Sequence, residues 1–193
     1  MCSCKKQSAP IPSFTNTDLP THAGDSWTYW YTTRDGANYN TGLVIMKVKF
    51  TEIKGNESFI HYIITDTTGF FIDSAVGHMT ADSFTYTSVT NQNYFGDFRV
   101  PLPCYEGKQW VGIDPRDQYK VLYYSDRYKI APLDFKKVFS TSSYYWKGDA
   151  QRKNDILLSK GVGIIQKNRY EMERDSHTSG WDQTFTLMEY SIQ

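Results

Sequence analysis

Apolar and polar residues alternate through much of this chain. Val44, Met46, Val48 and Phe50 interleave with Ile45, Lys47, Lys49 and Thr51. A period of two puts one set on a buried face and the other outside, the mark of a half-buried antiparallel strand. Asp25 to Thr33 is rich in aromatic and β-branched residues and predicts the strand before it. Trp27, Tyr29 and Tyr31 share one of its faces; Thr28, Trp30 and Thr32 share the other. Asp35-Gly36 and Lys54-Gly55-Asn56-Glu57 read as turns. Ser58 to Thr65 is apolar on both faces, which predicts a central strand. Asp66 to Gly69 turns the chain, and strands follow over Gly69 to Ala75 and Met79 to Val89. Trp27 to Val89 is therefore a meander of about five strands.

The second half is less regular. Pro101 and Pro103 lack ladder donors, so their segment is expected at an edge or a crossing. Tyr119 to Ile130 predicts another aromatic strand, and Ala131 to Ser140 a short helix after Pro132. A closing hairpin is expected from Ile156 to about Arg174 and back from Trp181 to Ile192. Gly161 and Gly163 would bend its first strand. The fold class is all-β, or β-rich with one short helix: a curved antiparallel sheet forming a half-barrel or barrel. No fixed-period repeat argues for a propeller or solenoid. Residues 1–22, with Pro10, Pro12 and Pro20, read as a flexible N-terminal arm or tether. Residues 23–193 read as a single antiparallel β domain.

Charge narrows the partners. Lys plus Arg and Asp plus Glu are both 21, so the formal net charge is zero and nucleic acid is not an expected partner. No catalytic signature is present: no Gly-x-Ser-x-Gly, no phosphate loop, no His-Glu-x-x-His. Glu173, Asp175 and His177 would share a face of an extended segment, but a solvated turn beside Ser179-Gly180 explains them. No metal or cofactor is therefore expected. Cys104 reads as a buried small hydrophobe. Aromatic residues make up 16% of the chain and occur on both faces of several strands. A sheet with one core face must leave some of those rings outside it or inside a hollow, where they line a barrel interior, stiffen cross-strand pairs or bind a ligand. Trp30, Tyr124 and Trp146 are the expected ligand contacts, with a lipid, a glycan or an envelope protein as partner.

Ser3-Cys4-Lys5-Lys6 resembles the end of a bacterial lipoprotein signal. That resemblance implies acylation of Cys4 after cleavage at Ser3, and a membrane partner held through the N-terminal lipid. A basic, apolar leader upstream of Met1 is then expected. Gly24-Asp25-Ser26-Trp27-Thr28-Tyr29, Pro101-Leu102 with Gly107 and Trp110, Lys160 to Ile165, and Thr186 to Tyr190 together resemble envelope lipoproteins of the lipoprotein-carrier (Lol-like) type. The resemblance implies a curved sheet around an apolar hollow, anchored at the outer membrane or in the periplasm. It implies a non-catalytic domain whose concave face takes an apolar or aromatic-compatible ligand. A structural accessory lipoprotein and an unrecognised hydrolase or metal enzyme are the alternatives.

Overall fold

The computed structural model describes residues 12–90, 94–111, 115–147, 150–173 and 179–193. They form one 12-stranded antiparallel sheet, curved into an open half-barrel. The strands are β1 (Ser26–Asp35), β2 (Asn38–Lys54), β3 (Glu57–Thr65), β4 (Phe71–Met79), β5 (Ser83–Ser88) and β6 (Phe98–Pro101). They continue as β7 (Gln109–Val111), β8 (Gln118–Ile130), β9 (Leu133–Lys147), β10 (Ala150–Ser159), β11 (Gly163–Glu173) and β12 (Ser179–Ser191). The order across the sheet is β6-β5-β4-β3-β2-β1-β12-β11-β10-β9-β8-β7. The meander has its five strands, but the fourth runs on to Met79, expected to begin the fifth, which starts at Ser83; β3 is central, and Pro101 ends the edge strand β6.

The concave face follows the period of two. Trp27, Tyr29, Val44, Met46, Val48, Ile60, Tyr62 and Ile64 are all buried there. Phe50, expected with them, is 40% exposed. A bulge between Val48 and Phe50 inserts Lys49 into β2. One extra residue sends every later side chain to the opposite face. Phe50 then stacks on His61 outside the sheet, with centroids 4.1 Å apart.

Two other expectations are corrected. Ala131 to Ser140 is not a helix: Ala131-Pro132 is the turn between β8 and β9, and Leu133 onward pairs back along β8. Its apolar residues obtain strand partners that no local pattern displays. Lys160-Gly161-Val162 is likewise a turn between two strands rather than a bend in one. Gly161 has φ +72°, the left-handed region that glycine enters without a Cβ clash. The C-terminal hairpin does not close an edge either. β12 pairs with β1 along its length, so the last strand stitches the two halves together mid-sheet.

The hollow is filled by the chain itself. Phe95 is 1% exposed and meets Phe185 at 4.5 Å, Tyr29 at 5.4 Å and Tyr86 at 5.5 Å between ring centroids. Burying one such ring contributes about 1.5–3 kcal/mol. Buried Asp73 pins the approach to this plug. It accepts from the backbone N–H of Tyr94 at 2.9 Å and from the hydroxyls of Ser88 and Thr90. Residues 12–22, read as tether, also pack on the domain. Phe14 is fully buried and exchanges two backbone hydrogen bonds with Cys104, and Lys160 pairs with Asp18 at 3.0 Å.

Candidate functional site

The expected contact residues do not converge. Trp30 is 42% exposed on the convex face, beside Leu43. Tyr124 packs inward on Phe139 at 4.9 Å and donates to Asp126 at 2.5 Å. Trp146 lies under the Arg116 guanidinium at 5.6 Å, and its backbone N–H donates to Asp117 at 3.2 Å. Cys4, Asp175 and His177 lie outside the described residues. Among those described, no group of three His, Cys, Asp or Glu residues could hold a metal. His61 and His78 stack on Phe50 and Phe59, a packing use of the imidazole. Burial pushes the Cys104 thiol up to about 12 against the opposing pull of Lys108, so it stays protonated.

A cleft lies elsewhere, where the two ends of the sheet approach each other without pairing as strands among the described residues. It encloses about 320 Å³, at the low end of the range for small-molecule sites. One wall is β5 and β6, with Tyr86, Phe98 and Arg99; the other is the start of β8 and the end of β9, with Tyr119, Ser143 and Tyr145. Asp97 and Asp117 stand at its two sides. Phe98 and Tyr86 stack at 5.1 Å with 10° between planes, and both are buried. Trp110 backs Tyr119 in the same way, at 4.8 Å and 17°.

Some polar atoms of the lining residues are buried beneath the cleft's accessible surface. The Tyr86 hydroxyl and the Arg99 Nε are buried and make no hydrogen bond. Arg99 reaches Ser83 only through an Nη2 donor at 3.3 Å. The Tyr145 hydroxyl lies beside the Arg152 guanidinium without a well-formed hydrogen bond. Burial, with Asp73 next in weight, holds the Tyr86 phenol well above its ordinary pKa, so it remains a neutral donor and acceptor.

Behind the cleft the interior turns polar. Arg152 pairs with Glu171 at 2.9 Å, and Arg169 lies 3.7 Å from the same carboxylate. Lys167 is fully buried, donates to the Phe95 carbonyl at 2.5 Å and sits 5.3 Å from the Phe95 ring centroid. Gly96 makes this possible: a Cβ there would stand 2.9 Å from Arg169. The sequence carries one trace of this layer. Lys167, Arg169 and Glu171 alternate in β11 on the same face as Ile165, where a simple barrel core would be apolar.

No protein-family model matches the chain. No curated protein matches it either. Solved structures do. A Bacteroides fragilis protein described as exported, with a YmcC-like fold, superposes with a TM-score of 0.52 at 11% identity, covering 94% of this chain and all (100%) of the other. That likeness establishes the shared fold. A Parabacteroides distasonis protein described as a lipoprotein gives a TM-score of 0.44 at 10% identity, over 95% of this chain and 100% of that one. A Vibrio parahaemolyticus domain described as an outer membrane lipoprotein-sorting protein domain gives 0.32 at 11% identity, over 88% and 86%.

Proposed function

We propose that this chain is a lipid-anchored domain of the bacterial envelope that holds a small aromatic-compatible ligand without transforming it. The ligand occupies the cleft between the two ends of the sheet. The supporting observation is the cleft itself: about 320 Å³ between the two ends of the sheet, lined by four aromatic rings together with Arg99, Asp97 and Asp117. A concave, largely apolar space with a few polar groups is where small ligands bind. Anchoring follows from Ser3-Cys4 with a polar stretch after it, which lets the domain stand away from a bilayer. The description of the B. fragilis protein as exported is in keeping with this.

The test has two readouts. The reading frame extended upstream of Met1 is expressed in a bacterium. Mass spectrometry then finds acyl chains on Cys4, and Cys4→Ala moves the protein out of the membrane fraction. Unmodified Cys4 would remove the anchor. In the purified protein, amide resonances of residues 85–87, 97–99 and 143–145 shift with at least one of a monosaccharide panel, phenylalanine or dodecanoate. Silence with all of them would remove the cleft as a binding site.

A second reading has one observation behind it. Trp30, Leu43 and Met188 are each more than a third exposed on adjacent strands. An accessory role, with a protein covering that convex patch, would use these residues and not the cleft.

A further inference from the structure

We infer that the hairpin end of β8 and β9 lies against the anionic surface of the bilayer that anchors the chain. The inference rests on the anchoring read above and adds the face that meets the membrane. Arg127, Lys129, Lys136 and Lys137 are all exposed at this end. Arg127 stands opposite Lys136 and Lys129 opposite Asp134, so these four side chains share one face. Arg127 Nε donates to Asp134 at 2.8 Å. Arg127 first, then Lys129 and Lys136, hold the Asp134 carboxyl below its usual range, so all three cations gather round one carboxylate. One carboxylate cannot neutralise three cations. Asp126 alternates to the other face, where it accepts from the Tyr124 hydroxyl. The exposed turn at the tip, Ala131-Pro132, is uncharged. The whole chain has a formal net charge of zero, so this excess is a local asymmetry.

The arm brings this face to the membrane. Phe14 packs on Phe139 of β9 with ring centroids 6.0 Å apart. Asp18 pairs with Lys160, whose backbone N–H donates to the Lys137 carbonyl at 3.4 Å. The docked arm therefore runs beside the basic end of β9. Ten residues separate Phe14 from Cys4, which bounds the distance between them at about 35 Å in any conformation. Lys5 and Lys6 directly follow Cys4 and add to the same charge. Each cation brought close to an anionic leaflet strengthens binding about fivefold.

This orientation also places the cleft. Tyr119 precedes Lys129 by ten residues of β8, about 33 Å along an extended strand. With the hairpin end on the bilayer, the cleft stands well clear of it and takes its ligand from the aqueous side.

The experiment tethers the full chain by its own thiol. Cys2→Ala protein is coupled through Cys4 to a maleimide lipid in nanodiscs, so the result does not depend on acylation in the cell. Cys104 is buried and does not compete. The discs hold phosphatidylglycerol with phosphatidylcholine, or phosphatidylcholine alone, and a gadolinium-chelating lipid in both. Amide resonances of residues 127–137 should broaden most in the phosphatidylglycerol discs, and this preference should vanish in phosphatidylcholine alone or at high salt. Lys129→Gln with Lys136→Gln should remove it too, and should weaken binding of the untethered protein to phosphatidylglycerol vesicles about 25-fold. Lys47→Gln with Lys49→Gln, exposed on β2, should leave both readouts unchanged. Strongest broadening on another face, equal broadening in the two lipids, or equal loss from both lysine pairs would refute the inference and leave the anchor standing. Unmodified Cys4 in the cell, with the vesicle binding intact and sensitive to Lys129 and Lys136, would remove the anchor and uphold the face.

Discussion

Lys167 gives the sharpest test of how the interior is built. It lies on β11, fully buried, with its ammonium position against the Phe95 carbonyl and 5.3 and 5.4 Å from the Phe95 and Phe98 ring centroids. Burial is the largest influence on it and Arg169 the next. Both push its pKa well below the ordinary lysine value, against a weaker opposing pull from Asp97. The unfolded chain keeps the Lys167 proton up to about pH 10.4. The folded chain loses it earlier. Between those two points the unfolded state binds one more proton, so stability rises with pH, by about 1.4 kcal/mol per unit. Below the folded pKa both states carry the proton, and the full cost of burying the charge is present. Lys167→Met keeps an unbranched chain in the same space and removes the titration. Urea unfolding at fixed ionic strength, followed by tryptophan fluorescence from about pH 6 to 10, separates the two proteins. The wild type should gain on the variant as pH rises, with that slope inside the window. Parallel curves across the whole range would refute the reasoning. Lys167 would then stay charged in the fold, its burial offset by the Phe95 carbonyl and the two ring faces.

Other outcomes follow from the same packing. Phe95→Ala should cost about 3–5 kcal/mol in urea unfolding, because its neighbours come from separate strands and cannot all collapse inward. Gly96→Ala should also destabilise, by about 1–3 kcal/mol. Its φ is +75° and the new methyl meets Arg169, so the melting temperature should fall even though the side chain is small. Tyr86→Phe should leave stability unchanged or raise it by about 1 kcal/mol, since it removes a buried hydroxyl that has no partner. A clear loss of stability would show that the hydroxyl is paired within the fold. Trp30→Ala should change stability by no more than about 0.5 kcal/mol if the convex face meets only water.

The strands were legible because alternation is local. Val44, Met46 and Val48 declare a buried face whatever the rest of the chain does, and two prolines mark an edge because neither can donate. Fold class and the first five strands follow from such patterns alone. Other features depend on partners far away in sequence. Phe50 leaves the core through a bulge against His61, and 133–140 is a strand because β8 and β10 flank it. β12 takes the centre of the sheet by pairing with residues more than a hundred positions earlier. The site was least legible of all. Trp30, Tyr124 and Trp146 are rings in excess of one core face, and the curved sheet sends them to three different places. The cleft joins Tyr86 and Arg99 to Tyr119 and Tyr145, from ends of the sheet that meet only when it curls. Periodicity assigns a side chain to a face. Only closure of the sheet decides which faces meet, and which polar atoms are left there without a partner.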